Sequence, residues 1–453
     1  MFVRIGTFLF LFLLLGANSI SAEEFIVKSS KEFKQILDRV SDGDSIILEA
    51  GEYHGNFSVN KSIKISGNEH VIIQGNPEGF VLTINADNVT IENMTIRGGG
   101  SQNAGIYITS NNNNITNNTI EDVFHGVYIV DGYGNSVISN KITSFHNESN
   151  HNGFGVYLVE APYTIIRENV LYDLQDGIYV SYSDFCEVYK NKIKNARYGV
   201  HTMDSRNVVI ASNEISHSHN GLMIMQSYEI HILENMFHSN TTIDGAGMFI
   251  FDTFDSVITA NLMKDNFKGI FLENAKRNRI EFNIFLENDI GLELATASDT
   301  NLIYLNDFRK NTTQVISVSS NKNLFSRDGY GNFWDDQKTV NLNKDDIVDY
   351  AYKSGDVFYH ISNNEPLLQI FHQSPAVRLW NTIEKYTPVP SEQFVIDHYP
   401  LTKPAPIKIN QSSLQPQIGS DIHAIDYNRA FFFLIFLVIS IFIFAISRRE
   451  KSK

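Results

Sequence analysis

The sequence predicts an all-β chain wound as a right-handed parallel β-helix of about 22 residues per coil, carrying an N-terminal cap, an irregular C-terminal region and a C-terminal transmembrane helix. Three observations carry that reading. A glycine followed by an aliphatic and then usually an aromatic residue recurs, as in Gly126-Val127-Tyr128, Gly155-Val156-Tyr157, Gly177-Ile178-Tyr179, Gly199-Val200-His201 and Gly269-Ile270-Phe271. An asparagine followed two residues later by an apolar side chain recurs at Asn140, Asn169, Asn191, Asn213, Asn235, Asn261, Asn283 and Asn306. Both series step mostly by 22 residues and lengthen at the same two coils, which places insertions near 146–152 and 240–244. One such coil cannot bury its own apolar face, so neighbours must stack and equivalent residues fall about 4.8 Å apart. Asparagine suits the turns because it tolerates left-handed backbone geometry and its side chain can stack as a hydrogen-bonded ladder. Leucine-rich repeats share the length but require a leucine consensus that is absent.

From the N-terminus, Arg4 and the apolar run Ile5 to Leu15, then small residues Ser19, Ser21 and Ala22, read as a signal peptide over 1–22. Residues 23–44 form the cap, where Phe33, Ile36, Leu37 and Val40 lie at helical spacing over Ser30 to Val40. A cap is needed because an open solenoid end is an unpaired sheet edge. The β-helix spans 45–325, and residues 326–404 form a non-repeating C-terminal capping region with both tryptophans. A polar, proline-containing linker covers 405–429. The apolar run 430–446 would span about 25 Å as a helix, near the short limit for crossing a membrane. The tail 447–453 carries Arg448, Arg449, Lys451 and Lys453, so the positive-inside rule leaves it cytoplasmic and the body exported.

A formal charge of -15 argues against nucleic acid as a partner, since phosphate neutralisation needs Lys and Arg in excess. A single cysteine, Cys186, excludes an intramolecular disulfide and reads as a buried filler. A β-helix does not by itself give a function. Polysaccharide lyases, epimerases and carbohydrate-binding proteins share the fold, and a lyase or hydrolase site needs clustered carboxylates. Asp252, Asp255, Glu273 and Glu293 are the sequence's nearest approach to such a patch, and otherwise read as solvated surface. A purely structural or adhesive role is a third alternative.

The more distinctive constellation is soft. Strand alternation turns the second and fourth residues after each motif glycine outward, which exposes His201 and Met203 on one coil and Met223 and Met225 on the next. With the coils in register, His201 lies beside Met223 and Met203 beside Met225. One imidazole and three thioethers on one patch suit Cu(I), which prefers soft donors. The competing reading is a sheet face that happens to carry methionine. His217, His219, His231 and His238 lie on the same or the next coil and are lesser candidates.

Further motifs bear on family. The run Gly331-Asn332-Phe333-Trp334-Asp335-Asp336, preceded by Asn311-Thr312-Thr313-Gln314-Val315, is followed by Ser374-Pro375-Ala376-Val377, Leu379, Glu384, Pro388-Val389, Val395-Ile396-Asp397 and Pro400-Leu401. Together with His201, Met203 and Met225, these resemble the periplasmic NosD family of nitrous oxide reductase maturation proteins over roughly residues 24–404. The stretch 341–349 departs from the family by lacking its glycines, which puts a bound cation there in doubt, and the C-terminal membrane helix is not typical of a soluble member. The resemblance implies a non-enzymatic protein that works with an ABC transporter ATPase and permease, receives copper from a chaperone lipoprotein, and docks apo nitrous oxide reductase. Whether the cargo is copper or sulfur stays open at this level.

Overall fold

Alternating Ile and Val positions stack into columns, and those columns are the core of the computed structural model. It describes residues 22–145, 152–318, 322–354, 368, 371, 374–384 and 395–407. The signal segment up to residue 21, the insertion at 146–151 and everything from 408 onward, including the apolar run 430–446, lie outside the described residues. Among the described residues no helix is long and apolar enough to cross a membrane.

The chain forms a parallel β-solenoid. A 13-stranded sheet runs from Glu24–Val27 to Leu302–Tyr304, one short strand per coil, and a bent 23-stranded sheet supplies the other faces. In the first sheet the register aligns Ile46, Ile65, Ile91, Ile115, Val137, Ile166, Val188, Ile210, Ile232, Ile258, Ile280 and Ile303, every one fully buried. Each such side chain contributes roughly 1.5–3 kcal/mol of hydrophobic stabilisation on burial.

The eight expected asparagines form one continuous buried ladder, which also takes in Asn118 before them and Asn332 after them. At each step the backbone N–H and the Nδ2 of one asparagine donate to the Oδ1 of the next, at 2.9 and 3.0 Å from Asn191 to Asn213. The same Nδ2 also donates to a carbonyl of the preceding coil, Ile166 O at 2.9 Å for Asn191. The left-handed turn geometry, however, belongs to the residue before each ladder asparagine: Glu168, Lys190, Ser212, Glu234, Ala260, Phe282 and Leu305 all have φ between 54° and 59°. Asparagine is not needed for its backbone tolerance here. It is needed because its amide must project inward with both donor and acceptor used. Its neighbour takes the strain, about 1–2 kcal/mol at a non-glycine residue.

The glycine column has a different cause. A Cβ on Gly199 would stand 2.5 Å from the Gly221 carbonyl and strike the Ile215 side chain, so any larger residue would push successive coils apart. At this column the chain turns a corner inside single strands of 12 residues, Val170–Ser181 and Lys192–Met203.

Both ends differ from expectation in extent. The cap helix is Ser30–Leu37, N-capped by Ser29, whose hydroxyl accepts from Glu32 N–H, and it stops before Val40. Its Phe33 is buried against Phe57 and Tyr53, at ring distances of 4.6 and 6.0 Å. The strand Glu24–Val27 ahead of it already pairs with Ser45–Leu48, so the solenoid begins inside the expected cap. At the other end Phe333–Trp334 pairs with Asp307–Phe308, one rung beyond residue 325. The Gly-Asn-Phe-Trp run is therefore the final rung. Trp334 stacks between Phe308 and Tyr352 at 4.4 and 4.2 Å, and its Nε1 donates to buried Asp397 at 3.0 Å. Asp397 arrives on Val395–Asp397, antiparallel to Tyr352–Ser354, and also accepts from the N–H groups of Asn332 and Tyr399. Burial raises its carboxyl pKa, while those donors oppose the shift. The insertion at 240–244 is a loop closed by Gly245 N–H on the Thr242 carbonyl.

Two stability tests follow. Asn213→Ala strands two buried donors of Asn191 and should cost about 2–4 kcal/mol in denaturant unfolding; a loss under about 0.5 kcal/mol contradicts the ladder's role. In a Trp380→Phe background, Asp397→Ala should redshift Trp334 fluorescence at denaturant concentrations where far-ultraviolet dichroism is still native, because the end rung opens first.

Candidate metal centre

Alternation along Lys192–Met203 and Asn220–Met225 sends Val200, Thr202, Leu222 and Ile224 into the core, all fully buried, and leaves His201, Met203, Met223 and Met225 on the other side. The register pairs His201 with Met223 and Met203 with Met225, as the repeat predicts. The surroundings differ from the expected open sheet face. Met203 and Met225 are half-buried, but His201 is only 7% exposed and Met223 4%. The reason is the glycine corner, which folds the positions just before each glycine, Asp176 and Tyr198 among them, onto the outward row.

His201 is held from three directions. Its Nδ1 lies 2.9 Å from Asp176 Oδ2, the Tyr179 ring stacks on it at 4.4 Å and 15°, and the Tyr198 ring meets it edge-on at 5.2 Å. Asp176 is 0% exposed, and Arg197 donates to both its oxygens, Nε to Oδ1 and Nη2 to Oδ2, each at 2.9 Å. Arg197 in turn lies over the Tyr198 ring at 4.5 Å. On the other side of the imidazole, Nε2 is buried without a hydrogen-bond partner among the described residues. A buried polar atom left unpaired is uncommon and calls for a partner such as a water or an ion. The Tyr179 hydroxyl donates to the Met203 thioether at 3.4 Å.

The same row continues in both directions as Tyr107, Tyr128, Tyr157 and Tyr179 before His201, then Phe249 and Phe271 after Met223, with Thr83 and Glu293 beyond the two ends. His201 and Met223 thus interrupt the aromatic run from Tyr107 to Phe271. The lesser histidines do not join them. His231 lies on the 13-stranded sheet, and His217 and His238 pair edge-on at 6.2 Å on another face beside Glu214. His219 comes nearest, 6.5 Å from the Tyr198 ring, with Nδ1 3.0 Å from Thr242 Oγ1. The suspected carboxylate patch is dispersed. Asp255 is bidentate with Arg277, Asp252 accepts from Asn274, and Glu293 pairs with Lys268 at 2.9 Å. In the stretch 341–349, Asp345 and Asp349 accept from their own loop's N–H groups. Among the described residues no three of His, Cys, Asp or Glu converge as a metal-holding group.

Asp176 and Arg197 were not legible as site residues. A tabulation of the position before each motif glycine would have raised Asp176, since a carboxylate there is otherwise unexplained. Cys186 is fully buried and accounts for no donor in the patch.

A family model described as "Periplasmic copper-binding protein (NosD)" matches residues 144–339, which contain both coils of the patch and the Gly331–Asp336 run. The chain is 32% identical over 386 residues to the "Probable ABC transporter binding protein NosD" of Pseudomonas aeruginosa, covering 80% of this chain and 89% of that one. It is 31% identical over 378 residues to the protein of the same description from Stutzerimonas stutzeri, covering 79% and 86%. Among solved structures, the A-module of mannuronan C-5 epimerase AlgE6 from Azotobacter vinelandii superposes with a TM-score of 0.55 at 13% identity, over 64% of this chain and 95% of that one, which is a likeness of fold.

Burial pushes the Cys186 thiol pKa up to about 12. An aromatic disulfide reagent at pH 8 should therefore leave the native protein unlabelled and react fully only in denaturant. Rapid native labelling would place this thiol outside the core.

Proposed function

The chain belongs to the NosD family, and on that footing we propose that it is an exported accessory protein that holds Cu(I) on its way to the copper centre of nitrous oxide reductase. The observation that carries this reading is the buried Nε2 of His201, without a partner among the described residues, on a strand pair whose register sets His201 next to Met223 and Met203 next to Met225. A neutral imidazole with thioethers suits Cu(I), and thioethers need no deprotonation to bind it. Without a thiolate the set is weak enough to release its ion, which a carrier requires. Half-buried Met203 and Met225 form the open side through which a partner would reach the ion, and Met223 and His201 form the sheltered side.

The relatives are described as probable ABC transporter binding proteins, and that description supports an ABC transporter as partner. In this reading a copper chaperone lipoprotein loads the patch and the apo-reductase unloads it. The apolar run 430–446 would tether the body beside the permease, raising its effective concentration there. A polysaccharide lyase or epimerase role finds less support, because Asp176 and Asp255 are each committed to an arginine.

The test is anaerobic titration of Cu(I) into the full-length protein against a competing chelator. The variant with His201, Met203, Met223 and Met225 all changed to Ala should bind at least about tenfold more weakly, the equivalent of roughly 1.4 kcal/mol. Equal affinity in the two proteins overturns the site. Release of unsaturated products from uronate polymers by the wild type would overturn the reading in favour of a lyase.

A further inference from the structure

Asp176 is a carboxylate with no exposure to water, spent on one arginine and one histidine, in a wall otherwise made of aromatic rings. Such burial is costly unless every oxygen is used, and removing either partner would leave a buried charge. Its two other contacts define what it does to His201. Arg197 reaches it from the following coil and supplies two N–H donors, one to each oxygen, so Asp176 is fixed in plane and cannot rotate away. A carboxylate accepts only, so the ring nitrogen 2.9 Å from Oδ2 has to be the one that carries hydrogen. The opposite tautomer fails twice. It would set the Nδ1 lone pair against a carboxylate oxygen, and it would bury an Nε2–H that has no acceptor. The ring cannot evade this by turning over, because Tyr179 lies flat against it at 4.4 Å and Tyr198 abuts its edge at 5.2 Å.

We infer that Asp176, braced by Arg197, is a positioning residue that locks the neutral His201 ring in its Nδ1–H tautomer and thereby places the lone pair on Nε2. A metal-binding histidine is commonly fixed in this way through its second nitrogen. Here the fixing comes from the fold itself, from a residue one coil away. The consequence for metal is pre-organisation, since no tautomer exchange or ring rotation has to precede binding. That consequence rests on the copper reading above, whereas the tautomer lock does not. Arg197 contributes indirectly, by choosing which atoms of Asp176 face where. Its guanidinium is itself seated on the Tyr198 ring, so the brace, the carboxylate and the imidazole form one rigid unit across two coils.

The substitution Asp176→Leu separates the alternatives, because it keeps the space filled and removes the acceptor that faces Nδ1. With no carboxylate opposite it, Nδ1–H loses its advantage and the hydrogen is free to move to Nε2. In the metal-free full-length protein, labelled with 15N at its histidine rings, two-bond 1H–15N correlation spectra report which nitrogen is protonated, and His201→Gln identifies the His201 signals among the 14 histidines. The wild type should show protonated Nδ1 and bare Nε2, and Asp176→Leu should show hydrogen on Nε2 in part or in full. Cu(I) affinity in Asp176→Leu should fall at least about tenfold, with thermal unfolding verifying that the fold is kept. Wild-type spectra with Nε2 protonated overturn the lock without any variant, and so does an unchanged pattern in folded Asp176→Leu. If the spectra come out as expected while the fourfold alanine variant retains Cu(I) affinity, the copper reading fails and the positioning role stands.

Discussion

A buried amide that must find partners for two donors and an acceptor tolerates very little displacement, and a column of such amides runs through this molecule from Asn118 to Asn332. Each side chain ties three coils together: it accepts from the asparagine before it, donates to the one after, and donates again to a carbonyl of the preceding coil. Slipping one coil by a residue would leave buried polar groups unpaired along the whole column, which costs more than any local gain in packing. The ladder therefore sets coil length. Insertions are admitted only as loops, such as 240–244, that leave the next asparagine in place. The strained left-handed residues that precede the ladder positions show how far the rest of the coil yields to this constraint.

Register fixed in this way is what makes side chains from different coils into a site. His201 and Met223 are 22 residues apart in sequence and adjacent in space because both coils are pinned by the same ladder. The glycine column adds shelter. Its close backbone approach lets the bent sheet fold one row of side chains onto the next, and that corner accepts charges only as pairs: Asp176 with Arg197, and further along Lys268 with Glu293 beneath the Phe271 ring. The corner is a low-dielectric environment, where an unpaired ion is expensive and an unpaired imidazole nitrogen is conspicuous. Of the groups that line it, His201 Nε2 is a buried ring nitrogen without a hydrogen-bond partner among the described residues.

The family's sequence signature acquires a physical meaning from the same constraint. Asn332 terminates the ladder, Trp334 carries the aromatic stack of Phe285 and Phe308 on to Tyr352, and Asp397 satisfies the donors that an end rung leaves over. Gly331 is required because a Cβ there would collide with the Asp397 carboxyl. These residues, 65 positions apart from Asn332 to Asp397, are one capping device that closes the end of the solenoid.

Sequence periodicity alone determined the parallel coil, its 22-residue period, the outward set His201, Met203, Met223 and Met225, and the pairing between them. All of these follow from strand alternation and fixed register, which are local rules repeated at every coil. It could not give the curvature of the bent sheet, because a corner depends on how closely two backbones approach and not on which face a residue occupies. Tertiary structure therefore decided that His201 and Met223 are enclosed, that Asp176 from one coil and Arg197 from the next converge on the imidazole, and that only one of its nitrogens is left without a partner. It also moved the left-handed turn residue off the asparagines and extended the solenoid into both expected caps. In each case the deciding quantity was which buried donors and acceptors still lacked partners once the coils had stacked, and no single coil contains that information.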